Sequence, residues 1–272
     1  MAMPRDSTTP AARFPGAYRL DRVNAEQEKL AAMIAESERI VALTGAGIST
    51  ASGIPDFRSP GGIWEKEDPM EVATLTVFRT DPQRFWEFYR RRLDLADDYD
   101  PNEGHYLLTD LHLEGRLTAV STQNIDGLHQ ASGLPVERVF EVHGSVRNLV
   151  CLSCPSLYPR EQIEELWSEA EGVPFCSCGE ILKPAVTLFE EMLPEEAFAS
   201  SVAAISEAEL LLIIGSAMVV HPAASLPGHL PDNARMAIIN DEPTPWHSEA
   251  DLWLSGDIAE NSKVIRAALG NA

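Results

Sequence analysis

Lysine is scarce in this chain. Only Lys29, Lys66, Lys183 and Lys263 occur in 272 residues, against 42 Asp and Glu, and the formal net charge is −21. A field of that sign repels polyanions and attracts basic segments, which sets nucleic acid aside as a direct partner. The plain alternative, a solvated acidic surface, accounts for most of the charge. Long apolar runs are missing as well: none approaches the length of a bilayer span. The opening stretch Met1 to Gly16 holds Pro, Ser, Thr and Ala instead of the apolar core of a secretory leader, so it reads as a loose tail and a cytoplasmic location is expected. Cysteine is confined to two close pairs, Cys151/Cys154 and Cys176/Cys178. Without a secretory signal, such pairs argue for a metal before disulfides. Internal repeats and low-complexity segments are absent. What remains, 44% apolar and 23% charged residues, is the composition of a soluble globular protein with room for one large and one smaller domain.

The chain is organised around Thr44-Gly45-Ala46-Gly47-Ile48-Ser49, which follows the apolar run Ile40 to Leu43. That run has the length and β-branched content of a buried strand. Glycines at a strand-to-helix junction let backbone N–H groups approach a phosphate, so a dinucleotide site is the first expectation. Ordinary Gly-rich punctuation competes with it. The loop also departs from the usual fingerprint. Thr50 stands where a third Gly is expected, and no acidic residue ends a second strand about 20 residues on.

Helical spacing predicts a helix over Asp21 to Glu38, a helical insertion over Asp68 to Asp98, and a helix over Glu103 to Leu113 closing at Gly115. Strands are expected at Leu117 to Ser121, Arg138 to Val142, Leu210 to Ile214, Ala234 to Ile239 and Trp253-Leu254, with Asp257 capping a last helix to Leu269. Continuous apolar runs read as buried parallel strands. Polar or small residues follow nearly all of them, namely Thr44, Thr122 to Asp126, His143, Ser216 and Asn240. Open α/β sheets bind ligands along that edge.

Cys151-x-x-Cys154 and Cys176-x-Cys178 are separated by 21 residues and flanked by turn residues such as Pro155 and Gly179. Four thiolates suit tetrahedral Zn²⁺ with no position left for water, so a structural zinc site is expected there; free buried cysteines are the alternative.

Taken in order, Gly45-Ala46-Gly47-Ile48-Ser49, Gly53-Ile54-Pro55-Asp56-Phe57-Arg58, Thr122-Gln123-Asn124-Ile125-Asp126-Gly127-Leu128-His129 and Val142-His143-Gly144, followed by the cysteine segment, resemble the sirtuin (Sir2-like) family of NAD-dependent protein-lysine deacylases. The likeness runs from about Leu20 to Leu269 and includes Phe189-x-Glu191, Gly215-Ser216, Pro222-Ala223-Ala224 and Ile239-Asn240. It implies an α/β fold, a Rossmann-like doubly wound parallel sheet with an inserted small domain made of a zinc ribbon and a helical module. On that reading 1–19 is the tail, 20–60, 100–145 and 195–272 bind NAD, 61–99 is the helical module and 146–194 the zinc ribbon. The resemblance implies NAD as co-substrate and acyl-lysine proteins or peptides as partners. It places Gly45, Ala46, Gly47, Thr50, Phe57 and Arg58 on the pyrophosphate and over the nicotinamide end. Gln123 and Asn124 fall on the nicotinamide ribose, Ile125 and Asp126 on the carboxamide, and Gly215, Ser216, Asn240, Asp241 and Ile258 at the adenosine end. Val186 and Phe189 would meet the substrate. Asn124 and His143 would be catalytic, with His143 as the base, since an unperturbed histidine titrates near pH 6.5. His105, His112, His129 and His221 are read as structural.

Tyr89-x-x-Arg92 lies 16 positions after Ala73. Residues three apart share a helix face, and a guanidinium beside a phenol makes a receptor for a carboxylate. The small Ala73 would leave room for a longer chain. The set resembles the class III sirtuins, which remove succinyl and malonyl groups. A solvated basic face at Arg90 to Arg92 is the competing reading. Three departures stand out: Glu190 and Ser59 where the family often has Gly, and Ala217 where a hydroxyl residue is common. Rival functions are a mono-ADP-ribosyltransferase on the same scaffold, a non-catalytic NAD-binding module, and a hydride-transferring dehydrogenase, the last weakened by the absent ribose acid.

Overall fold

The computed structural model describes residues 24–59, 62–95, 99–169 and 172–270. Nine strands are formed among them: β1 (Ile40–Thr44), β2 (Leu117–Thr122), β3 (Val139–Glu141), β4 (Gly144–Cys151), β5 (Leu157–Pro159), β6 (Leu182–Val186), β7 (Leu210–Ile214), β8 (Arg235–Ile239) and β9 (Leu252–Leu254). Six make a parallel sheet in the order β3-β2-β1-β7-β8-β9. Order runs outward from the β1/β7 pair in both directions, so the crevice beyond the carboxyl ends of these two strands is the switch point of a Rossmann-like, doubly wound sheet.

Every residue of β1 and β7 is buried, because helices cover both faces. Ile40, Ala42, Leu210 and Leu212 pack with Leu30, Ile34, Leu107, Leu111 and Ile265 from the helices Ala25–Ala35, Glu103–Leu113 and Ile258–Leu269. The alternate residues Val41, Leu43, Leu211 and Ile213 pack on the other side with Ile205 of the helix Glu195–Ser206 and with Leu226. Two-sided burial is what turns the usual alternation into continuous apolar runs.

A second, three-stranded antiparallel sheet has the order β5-β4-β6. Its core is separate: Leu149, Leu182, Val186 and Trp167 pack with Phe78, Phe85, Trp86 and Tyr89 of the helical segment. That segment is three helices, not one. Asp68 caps Pro69–Val72, Thr74 caps Leu75–Thr80, and Pro82 opens Pro82–Leu95; a capping oxygen and a proline at the first helical position each define a fresh start.

Boundaries differ from the sequence expectation in several places. The first described helix begins at Ala25, where Asn24 and Gln27 form a capping box; the tail over 1–19 and the residues from Asp21 to Val23 lie outside the described residues. The strand expected over Arg138 to Val142 is only Val139–Glu141, with Arg138 in a 3-10 turn. Strand β4, which starts directly after His143, had no apolar run to announce it. Ser145, Arg147 and Asn148 interrupt its pattern, and its register with β6 shifts between Gly144 and Leu149. Among the described residues no helix is long and apolar enough to cross a membrane.

Candidate active site

The glycine loop meets the end of β7 at the switch point. A Cβ on Gly45 would lie 2.8 Å from the Gly215 carbonyl oxygen and from Ser216 Cβ, and one on Gly47 would lie 2.8 Å from Gly215 Cα. Gly215 itself has φ +63, and its Cβ would fall 2.2 Å from the Ile48 nitrogen. The Gly45 and Gly47 amides donate to the carbonyls of Ile214 (3.1 Å) and Gly215 (2.8 Å). These glycines therefore exist first to let two loops touch backbone to backbone. The residues after Gly45 form a 3-10 helix, Ala46–Ser52. Ala46 is half-buried, whereas Thr50 is exposed and donates its hydroxyl to the Gly47 carbonyl.

Under this loop the β2 turn forms a polar cluster. Asn124 is buried, receives its orientation from the Thr122 hydroxyl, which accepts its backbone N–H at 3.0 Å, and donates Nδ2 to the Gly45 carbonyl and Ser49 Oγ, both at 3.2 Å. Ser49 in turn donates to Asp126 at 2.8 Å. Burial pushes the Asp126 carboxyl above its ordinary value, while the Leu128 amide and the Ser49 hydroxyl oppose that shift. Gln123 reaches across the crevice to donate to Ser216 Oγ at 2.8 Å. Ile125 is half-buried against the smaller core.

His143 sits between β3 and β4. Its Nδ1 lies 3.0 Å from the Gln123 carbonyl. A carbonyl can only accept, so Nδ1 carries the proton and Nε2 keeps the lone pair. Burial lowers the His143 pKa from about 6.5, and the bond to Gln123 partly restores it. The imidazole is neutral near pH 7, oriented, and a base at Nε2. Its own carbonyl accepts from the Thr187 amide at 2.8 Å. Gly144 follows with φ +75, and a Cβ there would strike the Ala185 carbonyl oxygen at 2.1 Å, so β6 closes against the His143 backbone.

The remaining residues fall in three places. Phe57 stacks on Trp64 (5.2 Å between centroids) and Trp64 on Phe88 (5.9 Å); Phe57 and the exposed Arg58 line a cavity of about 390 Å³ with Ser59, Trp64 and Glu65. Asn240 and Asp241 follow β8 on the same sheet edge as Ser216, with Asn240 half-buried and Asp241 exposed. Ile258 is buried in the apolar core with Ile48. Ala73 and Tyr89 are buried in one cluster with Val186 and Leu188, and Tyr89 packs on Phe85 at 4.5 Å. Phe189 is partly exposed and its amide donates to the Ala73 carbonyl. The Arg92 side chain lies outside the described residues. Arg90 is exposed and places its guanidinium 4.7 Å from the Trp167 ring centroid.

Among the partnerships that went unread in the sequence are Ser49 with Asp126 and Lys183 with Glu191. Lys183 is 5% exposed and donates to Glu191 at 2.8 Å and to the Val186 carbonyl. Burial lowers its pKa, against the effect of Glu191. A lysine inside the otherwise apolar run Ile181-Leu182-Lys183-Pro184-Ala185-Val186 was the available signal.

His129 and His105 are buried against each other, 5.1 Å apart, and His129 Nε2 meets the Thr44 hydroxyl at 2.8 Å. Burial lowers the pKa of His105 to about 4 and that of His129 well below 6.5. The unfolded chain binds these protons more readily, so stability should be full above pH 6.5 and fall progressively toward pH 4. Thermal melting across pH 4–8 checks this, and His105→Gln should flatten the profile.

The four cysteine Sγ atoms lie within 4.8 Å of one another, with Cys151–Cys178 at 3.6 Å and Cys154–Cys176 at 3.5 Å. Tetrahedral Zn–S bonds of about 2.3 Å put sulfurs about 3.8 Å apart, so the donor set fits one structural zinc. Among the described residues, no carboxylate or histidine takes part in this cluster.

Comparison with known proteins agrees in kind. The Sir2 family model matches residues 45–222. The "NAD-dependent protein deacetylase" of Sulfolobus acidocaldarius is 42% identical over 228 residues, covering 84% of this chain and 88% of that one. The "NAD-dependent protein deacylase 2" of Pyrobaculum aerophilum is 39% identical over 233 residues, covering 85% and 91%. A solved Sir2 structure with a deacetylated p53 peptide and 3′-O-acetyl ADP-ribose superposes with a TM-score of 0.85 at 34% identity, covering 91% of this chain and all of that one.

Proposed function

The chain belongs to the Sir2 family of NAD-dependent protein deacylases, and we propose that it cleaves acyl groups from lysine side chains with a preference for acidic acyl groups over acetyl. The observation that carries the catalytic part is the His143 imidazole, with Nδ1–H pinned by Gln123 and Nε2 left as acceptor. NAD, when bound, supplies the ribose carbon that receives the acyl oxygen as nicotinamide leaves, and the hydroxyl that finally carries the acyl group away as O-acyl-ADP-ribose. The crevice fits it: Gly45, Gly47 and Gly215 leave bare backbone where the two loops meet, and Asn124, Gln123 and Ser216 present fixed polar groups beside it.

In this reading His143 Nε2 takes the proton from the ribose hydroxyl. Asn124, locked by Gly45, Ser49 and Thr122, orients the ribose, and Asp126 and Ile125 face the carboxamide. Phe57 and Arg58 cover the reacting end and keep water from it. Ser216, Asn240 and Asp241 hold the adenosine end; the buried Ile258 contributes there only by shaping the floor. The parts 20–60, 100–145 and 195–272 form the NAD half, 61–99 and 146–194 the smaller half, and acyl-lysine enters between them past Val186 and Phe189. Cys151, Cys154, Cys176 and Cys178 hold zinc as a structural clamp. Reduced thiolates fit a reducing compartment, which supports a cytoplasmic location.

For the acyl group, support comes from Ala73 and Tyr89 sharing one buried cluster and from Arg92 one helical turn beyond Tyr89. Rates of acetyl, malonyl and succinyl removal from one peptide, read by mass, test this. Arg92→Met should lower succinyl removal by roughly 10- to 100-fold, the worth of a charge-assisted hydrogen bond, with acetyl removal within a few-fold. Unchanged succinyl activity in that variant overturns the preference. Nicotinamide release without consumption of acyl peptide would instead favour ADP-ribosyl transfer.

A further inference from the structure

Glu190 holds φ +74, one of two non-glycine residues in the left-handed region among the described residues. Glycine would sit there without strain. The segment on either side is already held. Phe189 exchanges two backbone hydrogen bonds with Ala73 and Leu75, both 3.1 Å, and the Glu191 carboxylate accepts from Lys183 and from the Leu188 amide, both 2.8 Å. The strained side chain adds a third tie: one carboxylate oxygen accepts the Thr76 amide at 2.8 Å and the Thr76 hydroxyl at 2.7 Å. Thr76 lies in the first turn of the helix Leu75–Thr80, where backbone N–H groups lack intrahelical partners and a carboxylate is favoured.

The same short segment begins at the base. Val186 pairs with Gly144, and the Thr187 amide bonds the His143 carbonyl. Residues 186–190 therefore form one continuous strut, fixed to His143 at one end and to the Ala73–Thr76 wall at the other. We propose that Glu190 is a positioning residue whose bonds to Thr76 set the spacing between His143 and the acyl wall, and thereby the selectivity for acyl chains gripped at both ends. This rests on the deacylase reading above. An acid-tipped chain must place its carbonyl near His143 and its carboxylate at the far wall simultaneously, so it feels small changes in that spacing. Acetyl is held at one end and tolerates them.

Glu190→Gly removes both strain and latch, and Glu190→Gln keeps an acceptor oxygen. Steady-state kinetics with acetyl- and succinyl-peptides, KM for NAD, melting temperature, and hydrogen exchange at the Thr76 amide are measured for both. Glu190→Gly is expected to lower the succinyl-to-acetyl ratio of kcat/KM by about 3- to 10-fold, the range of one or two hydrogen bonds, and to speed Thr76 exchange. KM for NAD should stay within about 2-fold and melting should not fall, and Glu190→Gln should recover most of the ratio. An unchanged ratio in Glu190→Gly, or a change that follows melting temperature and NAD binding together, overturns the latch while leaving the deacylase reading intact. A wild-type enzyme inactive on every acyl peptide overturns that reading and this role with it.

Discussion

Replacing His143 with alanine is expected to lower deacylation by about 10²- to 10⁴-fold, the usual contribution of a positioned general base, while the protein stays folded. The expectation follows from what the ring touches. Its single described hydrogen bond is to the Gln123 carbonyl, and the contacts that fix the loop, Thr187 to the His143 carbonyl and Val186 to Gly144, belong to the backbone and survive the substitution. In the proposed reaction the base acts only after the bond to nicotinamide has broken. His143→Ala should therefore retain nicotinamide exchange while losing release of free lysine peptide, a split that a merely unfolded variant would not show. The pH profile has a sign. Burial lowers the His143 pKa, and the base works when unprotonated, so the acid limb of kcat/KM should fall below pH 6.5, with activity maintained through neutrality. Peptide mass analysis and labelled-nicotinamide exchange in parallel decide it. Deacylation by His143→Ala above a tenth of the wild-type rate would remove His143 as the base.

How far these features can be read from the chain depends on how far apart their partners lie. Strands β1 and β7 announce themselves because both faces of each are buried, and a run such as Leu210 to Ile214 carries its burial in its own composition. Gly45 and Gly47 are equally visible, but their reason is not. The close contact is with Gly215, about 170 residues away, and a local motif points to phosphate without showing that another loop fills the space first. Strand β4 is hidden because the adjacent Arg147 and Asn148 break the alternation that would mark a strand, and because its register changes. Asn124 and His143 stand out only through the resemblance to known enzymes. By composition an Asn in a polar turn and a His before a Gly are ordinary, and the Gln123 carbonyl that sets the tautomer leaves no mark in the sequence, since every residue has one. The same holds for Glu190: its identity is a visible departure, whereas the left-handed backbone and the Thr76 partner exist only once Ala73–Thr76 is laid beside Phe189.

Removal of the proposed zinc is the second large effect expected, and it should be local before it is global. Cys151 ends β4, and Cys176 and Cys178 lie in the turn that leads to β6, so the thiolates close the hairpin whose opposite end carries Gly144 and Val186. The small sheet has its own core of Leu149, Leu182, Val186 and Trp167, distinct from the two clusters that flank the large sheet. Structural zinc in small peptides binds with about 10–16 kcal/mol, as much as the total stability of a typical domain. The cysteine end of the small module is therefore expected to loosen without it, while the large sheet, covered by helices on both faces, is expected to keep its fold. Purified protein should contain about one zinc per chain, the stoichiometry of a closed four-thiolate site. Stripping it with a chelator, or substituting Cys151→Ser with Cys154→Ser, should abolish deacylation and release amide protection across residues 144–186, with most of the far-ultraviolet dichroism kept. His143 then loses the β6 strut behind it even though no ligand of the metal touches the ring. Metal analysis together with residue-resolved hydrogen exchange reads both halves. Full activity in zinc-free protein, or loss of protection that begins in β1 and β7, would show that the clamp does not hold the base in place.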